Sequence, residues 1–395
     1  MSADIRKAFS HAEELTKFHP ETLAAFLGQY PEYLSARGIT LPDHATAETM
    51  PWGRLPDLFM RVVEGETPPD LIQDIVLIAE LGKPSGHDKL KAELAHRDVV
   101  VAEIKGRTLH DFAMRVCLLN RRLLESAHSR VILQRQRAFD YYPPAQGITE
   151  VDLLSPKDAN YRALEKTLAV WFHGGDMGKS ATVIPYDFGH EIWFLVRHGS
   201  KTEMFSDMKD DGRIDIHFIR QLQYDVIVFN RKYCELKVKA APKLHPSYKY
   251  HFGLLLTGDS TFFGDREVFN LERLRHFGHR HAPWQTTPGA VCDGLREIEY
   301  SIRMAADRID GRRCRSCLTR TLLPGELLVP DYAERVEHAI FGISFGDAGK
   351  PRPVRVSAGR RANYCRDSDS TALEDLLRAN GFMMSKEIIR RAAAA

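Results

Sequence analysis

The segment ATVIPYDFGHEIWFLVRHG, residues 181–199, decides the fold class. Two strand-length apolar runs, 181–186 and 192–196, are separated by little more than Phe188-Gly189-His190. A connection that short closes a hairpin and leaves no room for the helical crossover that a parallel pair requires. The pattern repeats downstream, where runs at 204–205, 214–219, 226–229 and 236–238 are broken at Asp210-Asp211-Gly212 and at Asn230-Arg231-Lys232. An antiparallel meander is therefore expected, preceded by a helix over about 156–172 and followed by one over about 246–256 that covers one face.

Upstream, residues 2–128 carry apolar side chains at helical spacing, as in Leu55, Leu58, Phe59, Val62 and Val63, and again in Leu71, Ile72, Ile75, Val76 and Ile78. Pro68-Pro69-Asp70, Pro84-Ser85 and Thr108-Leu109-His110-Asp111 are helix-start signals. The run 137–142, closed by Pro143-Pro144, reads as a short strand and then a boundary. Downstream, strands are expected at 298–302, 321–329, 339–345 and 354–356. A helix follows at 369–379, with Ser368 or Asp369 as cap, Glu374 and Asp375 near its positive end, and Asn380-Gly381 as a left-handed stop. A second short helix is expected at 385–391. The expected fold is α+β and multi-domain: an all-α domain over 1–143, an antiparallel α+β domain over 144–285, and a β-rich C-terminal region with terminal helices over 286–395.

Of the 395 residues, 44% are hydrophobic and 27% charged, a composition that builds cores rather than disorder. Lys and Arg number 55 against 53 Asp and Glu, so any attraction for a polyanion must be local. Ser2, Asp4, Arg6 and Lys7 follow Met1 where a signal core would be apolar, and the apolar runs are strand-length. Neither secretion nor a membrane partner is expected. Six scattered cysteines suit reduced thiols in a cytoplasm.

Three constellations bear on chemistry. Phe194-Leu195-Val196-Arg197-His198-Gly199 resembles the start of the histidine phosphatases, in which an Arg-His-Gly at a strand end supplies the phosphate-accepting imidazole; the resemblance implies a phosphohydrolase. The family's second imidazole has no clear counterpart, because His276, His279 and His281 lie in a polar, turn-like stretch. Asp225, with Glu235-Leu236-Lys237 on the next strand, resembles the Asp…Glu-x-Lys core of the restriction-enzyme-like nucleases. That resemblance implies Mg²⁺ held by Asp225 and Glu235, with Lys237 placing the attacking water. The bland alternative is a solvated sheet face. Cys314-Arg315-Ser316-Cys317 has zinc-hairpin spacing, with Cys292 and His279 or His281 as conceivable second ligands and two unlinked thiols as the alternative. Gly174-Gly175-Asp176-Met177-Gly178-Lys179-Ser180 is a turn after a helix rather than a phosphate loop, because His173 stands where the first glycine is needed.

Charge supplies the remaining signal. Lys350, Arg352, Arg355, Arg360, Arg361 and Arg366 form a run without acidic residues, and Tyr364 offers a ring on which a base can stack. A second run holds Arg303, Arg308, Arg312, Arg313, Arg315 and Arg320, and adjacent strands would merge the two into one basic face. The reading that absorbs most of these features is a cytoplasmic accessory or adaptor protein of a bacterial multi-component system, such as antiviral defence or genome maintenance. Its helical domain would engage a protein partner and its C-terminal face would contact nucleic acid. The alternatives are the Mg²⁺-dependent nuclease and then the phosphohydrolase; outside the nuclease reading no cofactor is expected.

Overall fold

The computed structural model describes residues 3–61, 66–102, 104–146, 148, 150–156, 158–208, 212–278, 285–304, 308–315, 329, 333–346, 350–364, 370–384 and 389–390. The fold is α+β, and the chain divides into two compact units, Met1–Leu133 and Gln134–Ala395. Among the described residues no helix is long and apolar enough to cross a membrane.

The first unit contains α1 (Ala3–Phe9), α2 (Ala12–Leu15), α3 (Pro20–Leu27), α4 (Pro31–Ala36), α5 (Leu55–Met60), α6 (Pro69–Leu81), α7 (Pro84–His96), α8 (Leu109–Leu119) and α9 (Arg121–Arg135). Proline opens α3, α4, α6 and α7, where its missing N–H has no intrahelical partner to lose. Thr108 caps α8 by accepting the Asp111 N–H at 3.2 Å. The buried faces meet in one apolar core in which the Phe9 ring lies 5.6 Å from Phe18 and 5.0 Å from Phe59.

The second unit contains β1 (Ala138–Tyr142), β2 (Glu150–Val151), α10 (Asp158–Gly174), β3 (Ala181–Asp187), β4 (Glu191–Gly199), β5 (Glu203–Met208), β6 (Ile214–Ile219), β7 (Leu222–Asn230), β8 (Glu235–Lys239), α11 (His245–Thr257), β9 (Ala290–Met304), β10 (Arg308–Arg315), β11 (Ala333–Phe345), β12 (Arg352–Ser357), β13 (Arg361–Asn363), α12 (Ser370–Ala379) and β14 (Ile389–Arg390). Ten strands form one antiparallel sheet in the order β10-β9-β11-β12-β13-β1-β8-β7-β4-β3. The expected meander is present as β3, β4, β7 and β8, whereas the runs at 204–205 and 214–219, expected as strands of it, form β5 and β6 of a separate two-stranded sheet. The expected break near 285 does not separate compact units, because β1 pairs with β13 on one side and β8 on the other, joining strands from both regions. β1 is thus no linker: Phe139 and Tyr141 on one face and Tyr142 on the other are all buried. Residues 389–390, expected in a helix, form β14 and pair in parallel with β2. The strand expected at 321–329 lies outside the described residues apart from Val329.

Strand alternation gives the sheet two chemically different faces. On one, Phe194, Val196, Ile227, Phe229, Leu236 and Val238 pack beneath Leu168 and Phe172 of α10 and Tyr248 and Phe252 of α11. The opposite face carries Tyr141, Trp193 and Lys237, and α12 closes over part of it, since its Glu374 is bonded to Lys237 and Tyr141. α12 stops where its sequence signals say. Gly381 has φ +70°, and Phe382 N–H reaches back to the Leu377 carbonyl at 2.8 Å.

Candidate functional site

An open groove of about 460 Å³ lies over the β11, β12 and β13 part of the sheet. Arg137, Arg352, Arg355 and Asn363 line it together with Ile340, Phe345, Pro353, Val354 and Tyr364. The three guanidinium-bearing residues are exposed; Arg352 and Arg355 share β12, whereas Arg137 comes from far earlier in the sequence. Arg137 is brought in just ahead of β1, where its carbonyl accepts the Tyr364 N–H at 3.2 Å. Arg352 sits 5.1 Å from the centre of the Phe345 ring. Arg355 places Nη2 3.2 Å from Nε2 and 3.3 Å from Nδ1 of His338. Burial pulls the His338 pKa down and the Arg355 charge adds to it, outweighing Glu299 and Glu297, so the ring is neutral at pH 7 and does not repel the guanidinium.

The other members of the basic run have different surroundings. Lys350 and Arg361 are exposed, with Arg361 opposite Asp140 in the β1–β13 register. Arg360 is half-buried, ion-paired with Asp265, and its guanidinium carbon is 5.0 Å from the Tyr142 ring. Arg366 lies outside the described residues. Tyr364, expected as a stacking platform, is buried instead. Its hydroxyl donates to Glu374 at 2.6 Å and lies 2.7 Å from the Tyr141 hydroxyl, so the ring is a wall of the groove and not a free face. The two basic runs do not fall on adjacent strands. β9 and β11 separate β10 from β12, and Glu297 and Glu299 of β9 are register partners of Arg315 and Arg313.

Asp225, Glu235 and Lys237 do not converge. Ile227 pairs with Val238 and Val228 with Lys237, so Asp225 shares the Ile227 face while Glu235 and Lys237 point through the other side of the sheet. There Lys237 Nζ meets Glu191 at 2.5 Å and Glu374 at 2.6 Å, and Glu235 receives Arg378 Nη2 at 3.1 Å. The solvated alternative fails as well, because both side chains are fully buried. Tyr141 and Tyr364 also donate toward Oε1 of Glu374, and Trp193 Nε1 donates to Glu191 at 2.9 Å. Burial opposes the Arg378 charge, but Glu235 and Glu374 outweigh it and raise its pKa further. A network with this many internal partners fixes α12 to β1, β4 and β8. It leaves no ligand oxygen shared with Asp225.

Comparison with family models, curated proteins and solved structures finds no match for this chain. His198, the proposed phosphate acceptor of the Arg-His-Gly run, is buried with its ring stacked 4.2 Å from Phe172. Nε2 lies 3.0 Å from Asp225 Oδ2 and Nδ1 2.8 Å from the Gly199 carbonyl, which occupies both nitrogens internally. Tyr248 donates to Asp225 at 2.6 Å, and among the described residues no second imidazole is bonded to the pair. His279, His281 and Cys317 lie outside the described residues, as do the side chains of His276 and Cys314. Sequence reasoning missed Arg137, Phe345 and Asn363 as groove residues and Glu191 and Glu374 as partners of Lys237. The available signal was Arg137 standing at the mouth of a strand whose partners only the fold reveals.

Proposed function

We propose that this chain is an accessory protein that holds nucleic acid in the groove of Arg137, Arg352 and Arg355, while its helical unit engages a protein partner. The observation that carries the reading is the convergence of three exposed arginines on one apolar-floored groove in a protein whose net charge is only +2. Planar guanidinium groups suit phosphate oxygens, and a short local cluster concentrates field without making the whole surface sticky. Arg361 and Lys350 extend the cationic surface, whereas Arg360 is committed to Asp265 and contributes less. The Phe345 ring under Arg352 takes the stacking role first assigned to Tyr364. A part of this kind suits a bacterial defence or genome-maintenance assembly, an extension that rests on architecture alone.

The test is binding of a labelled oligonucleotide by fluorescence anisotropy over a salt series. Each phosphate neutralised contributes a slope of roughly −0.7 to −0.9 in log affinity against log salt. The triple variant Arg137→Ala, Arg352→Ala, Arg355→Ala is expected to flatten that slope by about two units and to weaken binding steeply at low salt. Arg360→Ala changes it little. Salt-insensitive binding, or equal binding by the triple variant, defeats the proposal.

A further inference from the structure

β4 and β7 pair as far as Gly199 and Leu222, and Ser200 N–H then bonds the Gln221 carbonyl at 2.7 Å. Beyond this point the two chains continue as β5 and β6, a two-stranded ribbon separate from the ten-stranded sheet. Its register sets Met204 opposite Phe218, Ser206 opposite Ile216 and Met208 opposite Ile214, so one face presents five large apolar side chains and a serine. The other face mixes Glu203, Asp215 and His217 with the less exposed Phe205 and Ile219, at 41% and 45%. All five apolar residues are between 53% and 73% exposed.

Single exposed apolar residues are ordinary, but a contiguous uncharged face is a docking signature. A ribbon with six residues on each strand is marginal by itself in water, so this face needs a cover for the ribbon to be stable. Five side chains of about 200 Å² each, exposed to this degree, offer roughly 600 Å². Doubled across a two-fold axis, that reaches the lower bound of about 1,200 Å² for a specific interface. A face without charge meets its own copy without like-charge opposition, whereas the reverse face would oppose carboxylate to carboxylate. We propose that a second copy of this chain covers the ribbon, apolar face to apolar face, in an isologous dimer. This inference is independent of the groove.

Sedimentation velocity of the full chain at micromolar concentration tests it. The expected species has twice the 44.9 kDa mass of one chain. Ile216→Glu, at the middle of the apolar face, is expected to raise the dimer dissociation constant at least about tenfold. Met208→Lys, near the ribbon tip, must act in the same direction. His217→Glu, on the reverse face, must leave the dimer intact. Since all three positions are exposed or half-exposed, unchanged circular dichroism and melting confirm that the variants fold. A monomeric wild type overturns the proposal, including one that instead floats with phosphatidylcholine vesicles. So does a dimer unaffected by Ile216→Glu, or one lost equally in His217→Glu.

Discussion

His198 stands between two acceptors. The Gly199 carbonyl can only accept, so Nδ1 donates to it, and Asp225 already accepts the Tyr248 hydroxyl and takes the Nε2 proton on the same oxygen. Burial alone would lower the His198 pKa, but the Asp225 hydrogen bond and charge, with the Gly199 carbonyl, outweigh it and leave the pKa raised. Burial and the same carboxylate push the Tyr248 hydroxyl well up, which keeps it a donor. A raised folded pKa stabilises the native state fully below the unfolded value of about 6.5, and that contribution is lost as pH rises through the folded value. His198→Phe is therefore expected to cost roughly 2 kcal/mol near pH 6, the scale of a charged hydrogen bond, and progressively less toward pH 9. Urea unfolding of both proteins across that interval measures the difference. A constant or growing gap would contradict the imidazolium assignment. The Arg-His-Gly run was legible as a strand end, but its partner Asp225 sits on another strand and only pairing could reveal it.

α12 shows which parts of an element a sequence discloses. Its stop was readable, because a left-handed residue after a helix favours glycine whatever surrounds it, and Gly381 has φ +70°. The role of Glu374 was not readable. Near a helix start a carboxylate ordinarily serves the dipole in water, yet here it is buried and bonded to Lys237, Tyr141 and Tyr364, which reach it from two strands and a segment beyond β13. The cap yields a prediction with an internal control. A Cβ on Gly381 would lie 1.8 Å from Arg273 Nη1, which donates to the Asn380 carbonyl at 2.7 Å, whereas one on Gly346, at φ +59°, meets nothing within 4 Å. Gly346→Ala should cost about 1 kcal/mol of left-handed strain, and Gly381→Ala should exceed it by a further 1 kcal/mol or so for the displaced hydrogen bond. Chemical denaturation of the two variants reads the difference directly. Equal losses would show that Arg273 swings away freely and that the cap is backbone alone.

At the scale of the molecule, local rules set the hairpins and helices, while partition and groove depended on pairings distant in sequence. Short connections at Phe188-Gly189-His190 and Asn230-Arg231-Lys232 dictated antiparallel neighbours. Pro143-Pro144, by contrast, reads equally as a linker or as the exit of a central strand. β1 is the latter, because its neighbours β8 and β13 supply ladders on both edges. The same long-range closure brings Arg137 to Arg352 and Arg355. The partition has a consequence for folding. The core of the first unit is built from buried side chains between Ile5 and Val131, and the same unit holds the ion pair of Arg121 Nε with Asp74 at 2.7 Å. Burial pushes the Asp74 pKa up despite that guanidinium, a cost met within the unit, where Tyr30 also donates to it at 3.1 Å. A fragment of residues 1–135, ending with α9, keeps all of these contacts. It is expected to give a helical far-ultraviolet spectrum and a single cooperative thermal transition, as domains with their own core do. Full-length protein should then show a transition at the same temperature within a few degrees, provided the units unfold separately. A fragment that melts without cooperativity, or binds a hydrophobic dye in buffer, would mean that the helical core is completed by the rest of the chain.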